Sequence, residues 1–401
     1  MKEKVVLAFS GGLDTSFCVP YLKNEKNLEV HTIMVNTGGF TPEEAKKIEE
    51  RALQLGAASH ITVDAVETYY QQGIKYLIFG NILKNATYPL SVSSERIFQA
   101  LEVLAHVQKL NADYVAHGST GAGNDQVRFD IVFEILAPQV KILAPIRELQ
   151  LSRKEEIDYL IKHNFNFSWE KSKYSINQGI WGTSVGGVET LSSGGYLPEE
   201  AYPHQVTKHG EEKIRIGFDK GEPVSLNGHT MSPVEVIRAI ADIACPYGIG
   251  RDIHIGDTII GIKGRVGFEA AAPLILIKAH HLLEKHVLVK GQLYWKEMIA
   301  NYYGQLMHEA QYLDPTMRDM EAFLESTQKN VTGEVEVLLR PYSFFVVGCN
   351  SPYDLMSSRF GEYGEKNNSY TGRDVIGFTK VLANPLKIYY SLNTGTEQEK
   401  E

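Results

Sequence analysis

Ser10-Gly11-Gly12-Leu13-Asp14-Thr15-Ser16 follows directly on the apolar run Val5-Val6-Leu7-Ala8-Phe9. Two adjacent glycines let a backbone turn tightly and approach a ligand with no Cβ in the way. Ser10, Thr15 and Ser16 add hydroxyl donors, and Phe17 to Leu22 can open a helix whose N-terminal N–H groups point back at the loop. That combination is an anion cradle at a helix N-terminus. It is not a Walker A loop, because the Gly-Lys-Ser/Thr ending is missing. Asp14 would repel a bound phosphate unless Mg²⁺ or another cation offsets it, which makes Asp14 the candidate metal residue.

A second string follows a later strand signal: Ala116-His117-Gly118-Ser119-Thr120-Gly121-Ala122-Gly123-Asn124-Asp125-Gln126-Val127-Arg128-Phe129. Its glycines and short polar residues suit a loop that surrounds a small polar ligand. Thr120 and Asn124 offer donors for a carboxylate, and Asp125 offers a carboxylate for an amine. Arg128 can grip a carboxylate in a bidentate fork.

The first string resembles the pyrophosphate loop of the ATP pyrophosphatases, which split ATP between its α and β phosphates and adenylate a carbonyl oxygen. The two loops together resemble the argininosuccinate synthase family. The resemblance runs almost continuously through residues 1–165, including Lys141-Ile142-Leu143-Ala144-Pro145 with Arg147, and more weakly through 170–300. It implies ATP-dependent joining of citrulline to aspartate through a citrullyl-adenylate, with release of AMP and pyrophosphate. Ala8, Phe9, Ser10, Gly11, Gly12, Leu13, Asp14, Thr15 and Ser16 would then hold ATP, with Val35 near the adenine and Gly118 against the nucleotide. Thr120, Asn124 and Asp125 would bind aspartate. Tyr88, Ser93, Asn124 and Arg128 would bind citrulline, joined by Ser175 and Ser184. Ser10, Asp14 and Arg128 are the residues placed at the chemistry, Mg²⁺ is the implied metal, and a homotetramer is the implied assembly.

Three positions depart from the family pattern. Ala122 stands where the family loop usually carries Lys. Gly256 stands at a position that normally supplies a Glu to citrulline, and Phe268 where a Tyr is usual. Both of the latter changes fall at the amino-acid end of the acceptor. Two readings stay open: an acceptor acylated on its α-nitrogen, or free citrulline with Asp257, Glu269 or a shifted backbone restoring the pairing. An inactive ATP-binding sensor is the reading from another class.

Other strings carry less. Gly182-Thr183-Ser184-Val185-Gly186 matches a nucleophile-elbow pattern but lacks the preceding apolar strand, and Gly187 suggests a loop. His280-His281 are adjacent on a helical pattern, point in different directions and suit packing rather than chelation. A tRNA-thiolating relative would need reactive cysteine pairs and a basic RNA surface. The chain has three scattered cysteines and a formal charge of −9, from 40 basic and 49 acidic residues. That balance also argues against a nucleic-acid partner.

The elements that must position these residues are legible as alternation. Val5–Phe9, Val30–Val35, His60–Val63 and Tyr114–Gly118 read as strands. Thr41-Pro42-Glu43-Glu44 and Ser152-Arg153-Lys154-Glu155 read as capped helix starts, and Glu95 to Leu110 as a helix with apolar residues at helical spacing. Strands alternating with helices predict a parallel sheet covered on both faces, with ligands beyond the C-terminal strand ends. After residue 166 the pattern becomes α+β. Hairpins are predicted at 213–228, turning at Asp219-Lys220-Gly221, and at Val335–Leu339 with Phe344–Val347; residues 273–329 read as mainly helical. The last part predicts a short helix (Asp374 to Ala383), a strand at Lys387-Ile388-Tyr389-Tyr390 and a polar tail.

The fold class is therefore α/β, with a nucleotide domain at 1–165, an α+β synthetase domain at 166–362 and an oligomerisation arm at 363–401. No apolar run is long enough to span a membrane and the start has no signal-peptide core, so the expected location is cytoplasmic.

Overall fold

Successive residues of the first strand enter two different cores, which is the signature of a strand buried on both faces. The computed structural model describes residues 2–167, 173–357, 361, 363–365 and 369–393. Val5 and Leu7 of β1 (Lys4–Ala8) pack with residues of α1 (Leu13–Asn24) and α2 (Pro42–Gln54). Val6 packs on the opposite side, with Ile97, Ala100 and Leu104.

β1 pairs in parallel with β2 (Glu29–Asn36), and β2 with β3 (Ser59–Asp64). A helical stretch follows, α3 (Val66–Tyr69) running through one π-helical turn into α4 (Lys75–Phe79). α5 (Glu95–Leu110) then leads to β4 (Tyr114–Ala116), α6 (Asp125–Leu136), β5 (Lys141–Leu143), α7 (Pro145–Leu149) and α8 (Arg153–Lys162). The sheet order is β3-β2-β1-β4-β5, all parallel. The chain builds outward from β1 on one side and from β4 on the other. The β1/β4 boundary is thus the topological switch point, where the loops after both strands diverge and leave a crevice.

The helix starts are where the capping residues put them. Glu44 accepts from the Thr41 N–H at 2.8 Å while Thr41 Oγ1 accepts from the Glu44 N–H at 3.3 Å. Ser152 and Glu155 repeat the arrangement at 2.7 and 3.3 Å. Each satisfies backbone donors that the first helical turn leaves without partners.

Two antiparallel sheets follow. One contains β6 (Ser175–Gly179), β7 (Gly182–Gly186), β11 (Arg251–Asp257) and β12 (Lys263–Glu269), in the order β11-β12-β7-β6. The other orders β10 (His229–Thr230), β9 (Glu222–Leu226), β8 (Glu212–Asp219), β13 (Gly333–Arg340) and β14 (Ser343–Asn350). The β8–β9 turn has positive φ at Lys220 (48°) and Gly221 (84°), which matches the right-handed twist of the flanking strands. Helices α9 (Pro233–Ala244), α10 (Ala271–Val287), α11 (Lys290–His308) and α12 (Pro315–Thr327) complete this part. Ile237, Ile275, Met307 and Leu324 join β8 and β13 residues in the same core as Val6.

The chain divides into two units, Met1–Tyr353 and Asp354–Glu401. Among its described residues the second carries one helix, α13 (Gly372–Asn393), opened by Thr371, whose N–H and hydroxyl both donate to Asp374 Oδ2. α13 runs through Lys387-Ile388-Tyr389-Tyr390, so the predicted strand there is helix. β-branched and aromatic residues suggested a strand, but Phe378, Val381, Leu382, Leu386 and Tyr389 keep i, i+3, i+4 spacing across Pro385. None of its residues is buried. The polar tail, 394–401, lies outside the described residues.

Gly182–Gly186 is strand rather than loop. It pairs with β12 and β6 and makes no strand-to-helix turn, so the elbow reading fails. His280 is a packing residue: fully buried, it bonds Asn81 at 2.7 Å and Gln328 at 2.9 Å.

Candidate functional site

A cleft of about 960 Å³ opens at the β1/β4 switch point. Ala8, Phe9, Ser10, Gly12, Leu13, Asp14 and Thr15 line it from the β1 side, with Val35 from the end of β2. Gly118, Thr120, Asn124, Asp125 and Arg128 line it from the β4 side. Tyr88, Ser93, Ser175 and Ser184 face the same space. Two residues of the first loop do not. Gly11 (φ 75°) turns its carbonyl to Arg51 Nη1 at 2.5 Å, and Ser16 is fully buried, its hydroxyl without a hydrogen-bond partner among the described residues. Gly11 therefore shapes the turn, which only a residue tolerant of positive φ does without strain.

The two loops touch. A Cβ on Gly118 would lie 2.8 Å from Thr15 Cγ2 and 3.2 Å from Thr15 N. Ser10 and Thr15 hydroxyls lie 3.3 Å apart across the turn, and the hydroxyls and N–H groups at the start of α1 frame a polyanion site. The second loop is stapled from within: Gln126 Nε2 donates to the Gly121 carbonyl at 2.6 Å and to that of Gly123 at 3.2 Å.

Asp14 is not isolated. Burial raises its pKa above the ordinary carboxylate value, and it shares hydrogen bonding with Glu156 of α8. Burial, then the Asp14 charge, pushes Glu156 up to about 7. Two carboxyls this close hold a proton between them or accept a cation.

At the other end of the cleft, Arg128 is buried, and three of its five N–H donors are used inside the protein. Nη1 donates to Asp125 at 2.8 Å, while Nε and Nη2 donate to the His308 carbonyl at 3.2 and 3.1 Å. The residue expected to grip a substrate carboxylate thus lines the cleft and also fixes Asp125 and α11. Asp125 also accepts from Arg96 Nε at 3.0 Å. Burial raises its pKa, but Arg96 and Arg128 outweigh that and hold it at about 2. A carboxylate so acidic is an anion at neutral pH and a poor general base. Asn124 Oδ1 accepts the Ile259 N–H at 2.9 Å, which ties the second loop to the β11–β12 turn.

Tyr88 is buried, stacked on His254 (centroids 5.1 Å apart, 23° between planes) and tilted on Phe268 at 5.4 Å. Phe268 in turn registers with Ser184 across β12 and β7. Asp257 and Glu269, the two carboxylates able to stand in at the Gly256 position, are committed elsewhere. Asp257 is exposed and paired with Lys263 at 2.6 Å. Glu269 is buried and held by Arg251 Nε at 2.9 Å and by His204.

The matches with known proteins follow this geometry. The model of the arginosuccinate synthase N-terminal HUP domain matches residues 4–166, and that of the arginosuccinate synthase C-terminal domain matches 174–389. An argininosuccinate synthase of Methanocaldococcus jannaschii is 40 % identical over 372 residues, covering 91 % of this chain and 93 % of its own. One of Dictyoglomus thermophilum is 37 % identical over 384 residues (95 % and 96 %), and one of Staphylococcus saprophyticus is 34 % identical over the whole of both chains. The chain belongs to the argininosuccinate synthase family. It is a ligase of arginine biosynthesis that joins citrulline to aspartate and uses ATP as a substrate.

Within this family frame, sequence reasoning missed several residues of the cleft wall. Glu95 is buried and accepts from Thr37 Oγ1 at 2.8 Å and Arg96 Nη1 at 2.7 Å. Burial drives its pKa to about 7 against the pull of Arg96. A Glu-Arg pair at the start of an otherwise apolar helical face was the available signal. His117, His254 and His308 also line the cleft, and each reads from sequence as one more histidine in a strand or helix.

Proposed function

We propose that the cleft carries out its family's reaction with the labour divided between its two ends. The observation that carries this is the meeting of the loops after β1 and β4 at one switch point, with a polyanion cradle on one and a fixed anion on the other. ATP lies along Ala8 to Thr15, its adenine toward Val35 and its phosphates at Ser10, Gly12 and Thr15. The citrulline ureido oxygen attacks the α-phosphorus, the bond to the β-phosphate oxygen breaks, and pyrophosphate leaves. The aspartate amine then attacks the ureido carbon of the adenylate, and AMP leaves with the former ureido oxygen. Backbone N–H groups and hydroxyls of the first loop stabilise the charge that grows on pyrophosphate.

Thr120, Asn124 and Asp125 hold aspartate, Asp125 as a permanent anion for its amine. Tyr88, Ser93, Asn124, Arg128, Ser175 and Ser184 hold citrulline, and Arg128 also keeps Asp125 in place. The protein otherwise contributes positioning. Mg²⁺ enters with the nucleotide, and the oxygen-only, partly unneutralised Asp14–Glu156 pair suits a hard dication beside the phosphates.

The enzyme is cytoplasmic and homotetrameric, the exposed apolar residues of α13 packing on other copies. No helix among the described residues is long and apolar enough to cross a membrane. The test is turnover with ATP, Mg²⁺, aspartate and citrulline labelled with ¹⁸O in the ureido group. Label in AMP supports the adenylate route. Release of ADP and phosphate, or no label in AMP, overturns it.

A further inference from the structure

The acceptor end of the cleft has a distinctive charge inventory. On β11, His254 and Gly256 lie two residues apart and face the cleft together, and the imidazole leans over the glycine. A Cβ on Gly256 would lie 2.6 Å from His254 Nε2. The glycine thus makes room for the ring, which lies on the cleft wall with Asp257 beside it at the strand's end. His254 is only 5 % exposed, and its Nδ1 is buried with no hydrogen-bond partner among the described residues. Buried polar atoms are rarely left unpaired, so an unpaired one on a cleft wall marks a place for a ligand group.

The carboxylates that line the cleft all have other engagements. Asp125 is held between two guanidiniums and Glu95 by Arg96 and Thr37. Glu44 closes the Thr41 helix cap, and Asp14 pairs with Glu156. Asp257 follows Gly256 at the cleft's solvent-exposed rim and is paired with Lys263. The charged neighbour of the imidazole is instead Lys84. Burial first, and Lys84 second, lower the His254 pKa to about 4, so the ring is neutral at pH 7. An α-ammonium brought here meets a neutral ring and a nearby lysine. The carboxylate beside it, Asp257, is exposed and already shared with Lys263, so the ammonium gives up water for little compensation. An amide nitrogen carries no charge, and its N–H suits a bare imidazole nitrogen.

We propose that the enzyme's acceptors extend to citrullines acylated on the α-nitrogen, that these are the better acceptors, and that His254 recognises the amide. The inference rests on the reading of this cleft as the ligase site and deepens it. The chemistry at the ureido end is unchanged. The aspartate nitrogen bonds to the ureido carbon, the carbon–oxygen bond to AMP breaks, and the acyl group is retained in the product.

The experiment compares kcat/KM for AMP release by the full-length enzyme with ATP, Mg²⁺ and aspartate. The acceptors are citrulline, N-acetylcitrulline and N-succinylcitrulline, with product masses read in parallel. At least one acylated acceptor is expected to exceed citrulline by about tenfold, the upper size of one neutral hydrogen bond gained. His254→Glu restores a carboxylate and is expected to shift the ratio toward free citrulline by about the same factor, with the KM for ATP unchanged. Equal or better turnover of free citrulline by the unaltered enzyme overturns the inference and leaves the ligase reading standing. No AMP with any acceptor overturns the ligase reading, and the inference falls with it.

Discussion

Arg128 and Asp125, one helical turn apart on α6, form an ion pair of 2.8 Å that joins the start of α6 to α11 through the His308 carbonyl. The guanidinium makes all of these contacts at once because its donors are held in a planar fork. Lysine keeps the charge but not the fork. Arg128→Lys is therefore expected to lower kcat/KM for aspartate by about 10- to 100-fold. It should also lower stability by about 2–3 kcal/mol through the orphaned carbonyl and the loosened carboxylate. Steady-state kinetics with aspartate varied, and the urea midpoint, read the two effects. Unchanged kinetics would remove Arg128 from the positioning of Asp125.

Gly118→Ala tests the contact between the two loops. The new Cβ would press on Thr15, whose N–H and hydroxyl belong to the proposed phosphate cradle. A backbone nitrogen 3.2 Å away cannot swing aside as a side-chain tip would. The KM for ATP is expected to rise by about tenfold or more, with a smaller change in the KM for aspartate. Equal changes in both would place the strain outside the nucleotide end.

Glu156 makes stability depend on pH. Its carboxyl titrates near 4.5 when exposed and at about 7 in the folded chain, pushed up by burial and by Asp14. The folded state therefore binds the proton more tightly. The stability this adds is fully present below about pH 4.5 and is lost as pH rises through about 7. Glu156→Gln keeps the shape and cannot ionise. It is expected to be more stable than the parent at pH 8 by about 2 kcal/mol, the difference vanishing below pH 4.5. Thermal unfolding of both proteins across that range measures it, and a parallel pH profile would show that Glu156 stays ionised throughout.

The second unit yields a prediction about assembly. Val381 is 75 % exposed and Leu382 64 % exposed on α13, with Phe378 and Tyr389 also uncovered. Replacing Val381 and Leu382 together by Glu places two charges on the apolar side of that helix. Sedimentation is expected to show the parent as a tetramer and the double variant as smaller species, because burying unpaired charges opposes association. A tetramer that survives the change would move the interface away from α13.

Much of this protein is determined locally, and that part was legible in the sequence. The capping boxes at Thr41 and Ser152, helix α5, the two hairpins and the parallel alternation of the first part follow from hydrogen-bonding and burial patterns spanning a few residues. The glycine-rich string after the first strand is legible for the same reason, since the turn and its donors are consecutive. Where long-range contact overrode local preference, the reading failed. The segment Lys387–Tyr390 has strand-like residues but continues a helix, and Gly182–Gly186 looks like a loop but is paired on both sides.

The chemistry of the cleft wall was decided only by tertiary structure. Sequence could place a glycine at 256 and two carboxylates near it, but not which way each points. Alternation along β11 and β12 sends Asp257 to Lys263 and Glu269 to Arg251, while His254 turns inward over Gly256. The same holds for Arg128, whose type announces an anion partner without saying that Asp125 and a carbonyl 180 residues away would take it. Residue types set which interactions are available. Folding sets which groups are close enough, and dry enough, to use them.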